Sequence, residues 1–167
     1  MALPKKLSKL SETRALWASF FATIMLMLGF GFVMHIWQFG IIDEMSDPEA
    51  ILAHLNQMSP SQKTVHAWMT ATLDVAFPFA YGSLFIGMAL RHFQRFGPLL
   101  VWSNLVLIAA DLTEGFIQVL LLNGHENIVW AKAIVTPLKL GLFIFGLMVT
   151  LIGLTRALFL KRKAGDS

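Results

Sequence analysis

The chain has 167 residues, of which 56% are hydrophobic and 14% are charged, and it contains no cysteine. A mean hydropathy of +0.67 is atypical of a soluble domain, and the lack of cysteine excludes disulfides, iron–sulfur clusters and thiolate zinc sites. The net charge of +3 is modest, and we expect the lipid bilayer, with no nucleic acid, as the partner.

Four apolar segments are long enough to cross a bilayer, which requires about 20 mostly apolar residues in a helix. They cover approximately residues 17–40, 62–92, 98–122 and 128–160. The first segment lacks a small-residue cleavage site, and we interpret it as a retained helix rather than a signal peptide. The sequence therefore predicts one all-α domain over residues 1–167, an integral membrane four-helix bundle with up-down topology.

The loop between the first and second segments carries helix-start signals. Pro48 follows the N-cap candidates Ser46 and Asp47, and apolar residues recur from Ile51 at helical spacing. We expect a short amphipathic helix on the membrane surface in this first extracytoplasmic loop. The second span is then expected to begin near Pro60, within a capping box.

Basic residues are distributed asymmetrically about the four segments. They concentrate in the N-terminal tail, the turn between the second and third segments, and the C-terminal end: Lys5, Lys6, Lys9, Arg14, Arg91, Arg95, Arg156, Lys161, Arg162 and Lys163. The opposite side is acidic and has only Lys63 outside the membrane. Because cytoplasmic loops are enriched in Lys and Arg, we expect a multi-pass protein of the bacterial inner (plasma) membrane with cytoplasmic N- and C-termini.

Each predicted span carries one stripe of polar residues at helical spacing. In chain order the stripes comprise His35, Gln38, Asp74, Tyr81, Asn104, Asp111, Glu114, Gln118, Lys132, Thr136 and Lys139. A charged side chain that faces hydrocarbon costs at least about 2.5–3.5 kcal/mol on insertion scales. We therefore expect the four stripes to face one another inside the bundle, where they form a buried polar cluster or bind a ligand.

Three carboxylates and two ammonium groups are predicted to share one layer of this interior: Asp74, Asp111, Glu114, Lys132 and Lys139. We expect the two lysines to balance the three acids, which leaves one carboxyl in excess. A proton, His35, Tyr81 or a bound cation would complete the charge. Two interpretations stay open, because buried polar groups join membrane helices and intramembrane ionisable residues also mark functional sites.

Three short elements carry a resemblance to known proteins. Residues 74–85 (DVAFPFAYGSLF), 111–116 (DLTEGF) and 136–142 (TPLKLGL) are similar to elements of a group of small bacterial four-span membrane proteins. These elements are Asp-x-x-(Phe/Tyr)-Pro-x-x-Tyr, Asp-x-x-Glu and Thr-x-x-Lys. The resemblance extends over about residues 47–145 and implies the same site residues, without implying an activity. Gly115 departs from the pattern, in which Asn follows the Glu.

Catalytic and metal-dependent functions have weaker support in the sequence. Haem would need two facing histidines, whereas only His35 lies clearly within a span and His66 lies at a span edge. A di-iron site needs Glu-x-x-His pairs, which are absent, so no metal ligands are predicted. Intramembrane catalysis would depend on Lys139, Asp74 and Tyr81, and no hydrolase motif accompanies them.

The favoured prediction is a non-catalytic membrane component that binds a lipid, quinone, pigment or partner membrane protein. It would act in a larger membrane complex or as a homo-oligomer, with its cofactor, if any, undetermined. Proton- or ion-linked transport is the alternative, since buried carboxylates and lysines suit it. Against transport, the chain lacks the paired broken helices of inverted-repeat transporters.

Overall fold

The computed structural model describes residues 5–93 and 95–165, which form helices and connecting turns and contain no strand. The predicted domain also includes residues 1–4, 94 and 166–167, which lie outside the described residues. We number the five helices in chain order as α1 Thr13–Trp37, α2 Pro48–Gln57, α3 Pro60–His92, α4 Gly97–Leu122 and α5 Lys132–Gly165. A helical turn (Lys5–Ser8) and a 3₁₀ turn (Lys9–Ser11) precede α1, and a 3₁₀ turn (Glu126–Ala131) leads into α5.

Four of the helices are long and apolar enough to cross a membrane, as predicted. They are α1, α3, α4 and the helical stretch Glu126–Leu158, which begins in the 3₁₀ turn and continues through α5. The first helix ends at Trp37, three residues before the predicted end, because Gln38 adopts a left-handed conformation with φ of 51°. A residue in this conformation is a common helix terminator.

Helix α2 begins at Pro48, where Asp47 Oδ1 accepts a hydrogen bond from the backbone of Glu49 at 3.2 Å. Its apolar side chains Ile51 and Leu55 are 0% and 1% exposed. They belong to a core cluster with residues at the ends of α4 and the following 3₁₀ turn. The sequence predicted a short amphipathic helix on the membrane surface in this loop. The apolar face of α2 packs against the end of the bundle and covers that core cluster.

Helix α3 starts in the predicted capping box, in which Ser59 and Gln62 exchange side-chain to backbone hydrogen bonds of 3.2 and 2.9 Å. It contains one π-helical turn, Thr70–Asp74, which the sequence did not predict. Pro78 follows this turn by four residues and has no backbone N–H to donate to the carbonyl of Asp74. A π-turn adds a residue to the helical repeat, and it therefore rotates the second part of α3 relative to the first.

Helix α3 is central and packs against α1, α4 and α5, while α4 and α5 also pack against each other. Helix α1 lies outside this three-helix unit and has no buried residue. Many of its large apolar side chains are exposed, including Phe21, Met25 and Phe32. An apolar surface of this extent is typical of a protein that contacts lipid or a partner.

Candidate functional site

Six polar side chains of α3, α4 and α5 meet in the interior, and we call them the central polar cluster: Tyr81, Asp111, Glu114, Lys132, Thr136 and Lys139. The two acids lie one turn apart on α4, and the three α5 residues are spaced so that they share one face. All six are buried except Lys139, whose side chain is 16% exposed. The polar stripes of α3, α4 and α5 therefore meet in the interior of the bundle.

Glu114 is the centre of this cluster. The ammonium group of Lys132 lies 2.8 Å from Glu114 Oε1, and the hydroxyl of Thr136 donates to the same oxygen. Lys139 forms an ion pair with the other oxygen, Oε2. Both oxygens of a carboxylate that is only 1% exposed thus have a cationic partner, which offsets the cost of burying the charge.

Asp111 is held by two partners from different helices. Its Oδ1 lies 3.4 Å from the ammonium group of Lys139, and its Oδ2 accepts a hydrogen bond of 2.5 Å from the Tyr81 hydroxyl. The Tyr81 ring is fixed by aromatic neighbours, with ring centroids 5.1 Å from Phe77 and 5.2 Å from Phe143. Two carboxylates and two ammonium groups make the central polar cluster formally neutral.

Gln118 connects this cluster to a second polar group near α2. Its Oε1 accepts a long hydrogen bond of 3.5 Å from Lys132. Its Nε2 donates to Thr70 Oγ1 at 2.9 Å and to Asp43 Oδ2 at 3.2 Å, and it lies 3.0 Å from His66 Nε2. A continuous chain of polar contacts therefore runs from the half-buried Asp43 to the centre of the bundle.

Three members of this chain, Asp43, His66 and Thr70, were not predicted from the sequence as site residues. His66 and Thr70 lie eight and four residues before Asp74, so extending the α3 stripe by two turns would have found them. Asp43 carried no signal, because it is one of several acidic residues in a loop. Its role depends on how that loop folds back over the end of α4.

Contrary to the sequence prediction, Asp74 does not pair with a lysine among the residues that the structure describes. Within residues 5–93 and 95–165, neither an ion pair nor a hydrogen bond of its carboxylate is found. The expected balance of all three acids by two lysines is replaced by pairing of both lysines with α4. Asp74 is half-buried beside Gly115, where an added Cβ would come 3.2 Å from Asp74 Oδ2. Its position follows from the π-turn, which ends at this residue.

His35 and Gln38 lie apart from the other predicted site residues. Both are exposed at the end of α1, where the Gln38 side chain donates to the carbonyl of His35. His66 is buried against Phe39, with ring centroids 4.9 Å apart. The two histidines therefore do not face each other as a haem site would require. In the described part of the chain, no group of three or more His, Asp or Glu residues could hold a metal ion.

Asn104 is buried on the same face of α4 as Asp111, about two helical turns earlier. Its amide donates to the carbonyl of Leu100 at 2.7 Å, and its Oδ1 has no hydrogen-bond partner among the described residues. That oxygen lies against α5, where a Cβ added to Gly146 would come 3.0 Å from it. Asn104 therefore contributes to close packing of α4 and α5 rather than to the polar chain.

The chemistry available to this arrangement is restricted by its hydrogen bonds. Within the central polar cluster, Glu114 Oε1 accepts from Lys132 and Thr136, Glu114 Oε2 is ion-paired with Lys139, and Asp111 Oδ2 accepts from Tyr81. No protein-family model matches the chain, and comparisons with curated proteins and with solved structures found no match. The function must therefore be inferred from the contacts and surfaces of the molecule itself.

Proposed function

We propose that the protein is a multi-pass component of a bacterial inner membrane, with cytoplasmic termini, that binds a lipid-like molecule or a partner membrane protein without catalysing a reaction. Lipids, quinones and pigments are the candidate small ligands. Four long apolar helices support membrane insertion. The resemblance to small bacterial four-span proteins is compatible with this proposal and stays a prediction.

The observation that carries the proposal is the mutual neutralisation of the central polar cluster. Asp111 and Glu114 are matched by Lys132 and Lys139, and the hydroxyls of Tyr81 and Thr136 complete the hydrogen bonding. A catalytic acid or base must reach a proton of its substrate, whereas these groups are buried and engaged with one another. The cluster is better suited to fixing three helices in one arrangement, which leaves their outer surfaces for binding.

Membrane insertion and orientation can be tested with single cysteines, because the natural chain has none. Asn123→Cys and Lys9→Cys are both at exposed positions, in the α4–α5 connection and in the N-terminal segment. A membrane-impermeant maleimide applied to intact spheroplasts should label Asn123→Cys and should label Lys9→Cys only after permeabilisation. Release of the protein by alkaline carbonate, or the reversed labelling pattern, would contradict the proposal.

The role of the cluster as a frame is tested by replacing a charge pair together. In the double variant Asp111→Asn with Lys139→Met, Glu114 retains Lys132 and no buried ammonium group is left beside Asn. We expect it to retain the molecules that copurify with the natural protein in mild detergent, identified by native mass spectrometry. Loss of every copurifying ligand from a folded double variant would mean that the cluster binds the ligand directly.

Proton-linked transport is a second candidate, supported by the polar chain from Asp43 through Gln118 to Lys132. Chains of ionisable groups can relay protons within membranes, and here Gln118 contacts three such groups, Asp43, His66 and Lys132. Protein reconstituted in liposomes that contain a pH-sensitive dye should show no proton flux under an applied potential if the first proposal holds. Flux that Gln118→Leu abolishes would favour transport instead.

A further inference from the structure

A groove lies on the outer surface between the first part of α3 and the last turns of α4, with a volume of about 310 Å³. It is lined by Lys63, Thr64, Ala67, Trp68, Ala71, Val119, Leu122 and Asn123. The α3 residues Thr64, Ala67 and Ala71 are small and share one helical face. Their short side chains leave the space that the groove occupies, and its volume is at the lower end of the range of about 300–1,000 Å³ for ligand pockets.

The two ends of the groove differ in polarity. Lys63 and Asn123 lie near the end of the bundle that α2 covers, and Ala71 and Val119 line the deeper part. Eight residues separate Lys63 from Ala71, which corresponds to about 12 Å along a helix. Trp68 is exposed beside the groove, and tryptophan indoles prefer the headgroup level of a bilayer. The groove therefore runs from the expected headgroup level into the apolar layer.

The deeper end approaches a close contact between the two helices. One turn beyond Ala71 and Val119, the Asp74 carboxylate lies against Gly115. A carboxylate at this position is an unfavourable neighbour for a long apolar chain that continues along the same path. The favoured occupant is thus a molecule with a polar head at Lys63 and a limited apolar length inside the groove.

Charge selects the kind of head group. The ion pairs found in the described residues involve Lys132 and Lys139, so the ammonium group of Lys63 stays available for a ligand. The surrounding loops carry acidic residues, among them Asp47, Glu49 and Glu126. Among the residues that line the groove, Lys63 is the one with a basic side chain, and it is therefore where an anionic head group would be held. Basic groups beside transmembrane helices bind anionic lipid headgroups in this way.

We infer that the α3–α4 groove binds one anionic phospholipid, whose phosphate contacts Lys63 and Asn123 and whose first acyl-chain segment lies over Ala67 and Ala71. This inference rests on the proposed function and names its ligand class and site. The Asn123 amide donates one hydrogen to the Val119 carbonyl at 2.7 Å, and the phosphate accepts the other together with a hydrogen bond from the Lys63 ammonium group. The acyl chain covers the small residues of α3. The bound species is a phospholipid such as phosphatidylglycerol rather than free phosphate.

The test uses the full chain purified in a neutral detergent and titrated with phosphatidylglycerol, with binding followed by native mass spectrometry. Lys63→Gln should weaken phosphatidylglycerol binding about fivefold, the effect of one lysine near a lipid surface. Ala71→Phe should fill the groove and weaken binding at least as much. Phosphatidylcholine should bind more weakly than phosphatidylglycerol to the natural protein, and glycerol phosphate should not compete.

Two matched variants serve as controls. Arg95→Gln removes the same charge at an exposed position in the α3–α4 turn, and Ala76→Phe adds the same ring at an exposed α3 position outside the groove. Both should bind phosphatidylglycerol like the natural protein. Thermal unfolding without added lipid identifies any variant that fails to fold. If Ala71→Phe fails to fold, Lys63→Gln at its half-buried position in the groove decides the result alone.

Equal binding of phosphatidylglycerol and phosphatidylcholine, or an equal loss in Arg95→Gln, would overturn the inference. Unchanged binding in a folded Ala71→Phe variant would also overturn it, because the site would then lie elsewhere. These results would leave the proposed function intact if carbonate extraction retains the protein in the membrane. Failure of membrane retention would instead remove the proposed function itself.

Discussion

Helices α1 and α4 are similar in length and apolarity and differ in what they bury. They have 25 and 26 residues, and their most apolar 18-residue windows have mean hydropathies of 2.0 and 1.9. Yet none of the most apolar window of α1 is buried, whereas 44% of that of α4 is. Hydropathy identifies both as candidate spans and does not distinguish an outer helix from an inner one.

The difference lies in the chemistry of their polar stripes. On α4, Asp111 and Glu114 are costly to expose to lipid, and lysines on α5 offer compensation, so this face must turn inward. On α1, His35 and Gln38 carry no obligatory charge and lie in the last turn, where backbone groups and water can satisfy them. A polar stripe therefore fixes the rotation of a membrane helix when it holds charges with partners of opposite sign.

Removal of the Glu114 charge should have the largest effect on the free energy of unfolding, and it is the first test of this contrast. Glu114→Gln leaves Lys132 and Lys139 without the carboxylate that both contact, and breaking a buried pair costs about 3–5 kcal/mol. The free energy of unfolding, measured by denaturant titration in detergent micelles, should fall by that amount. The exposed Glu126→Gln is the matched control and should change it by less than about 0.5 kcal/mol. Equal effects would contradict the central position of Glu114.

A second test compares two threonines. Thr136→Val removes a buried hydrogen bond to the Glu114 carboxylate and should lower the free energy of unfolding by about 1.5–3 kcal/mol, as expected for a bond to a charged group. Among the described residues, the Thr113 hydroxyl donates only to the backbone of its own helix, and Thr113 is exposed. Thr113→Val should be nearly neutral in the same titration. A larger loss in Thr113→Val would show that side-chain burial on α4 has been assigned to the wrong face.

A third test separates the two candidate partners of Lys139. A double-mutant cycle of Lys139→Met with Asp111→Asn should give a coupling of at least about 0.5 kcal/mol, as residues in contact do. The cycle of Lys139→Met with Asp74→Asn should give a smaller coupling, because no ion pair joins these two residues. Unfolding free energies of the natural protein, the three single variants and the two double variants supply both values. A larger coupling of Lys139 with Asp74 than with Asp111 would support the pairing of Asp74 with a lysine that the sequence predicted.

The smallest expected effect on the free energy of unfolding comes from a substitution in α1. His35→Leu should leave the free energy of unfolding within about 0.5 kcal/mol of that of the natural protein, since the side chain is exposed and contacts no member of the cluster. Gln118→Leu, the matched replacement in the polar chain, should lower it by about 1–3 kcal/mol, because its buried partners lose their hydrogen bonds. A comparable loss in both variants would place α1 inside the unit that α3, α4 and α5 form.

The sequence was sufficient for the four long apolar helices, since each has the required length and composition. It was also sufficient to bring together the stripes of α4 and α5, because charges of opposite sign leave few other arrangements. It was insufficient for the choice of partners among Asp74, Asp111 and Glu114. That choice depends on helix rotation to within a fraction of a turn, and spacing alone does not provide it. The folding of α2 over the bundle likewise depends on apolar surface contributed by distant residues.

The π-turn of α3 has a consequence for how changes in chain length would act. The extra residue in this turn rotates the second part of α3 relative to the first. His66 and Thr70, before the turn, therefore face Gln118, while Tyr81, beyond it, faces Asp111. Removal of one residue within Thr70–Asp74 would restore a regular helix and rotate the later residues by about 100° relative to the earlier ones. Either half of the helix could then keep its partners, but not both. An insertion or deletion here would exchange one set of contacts for the other.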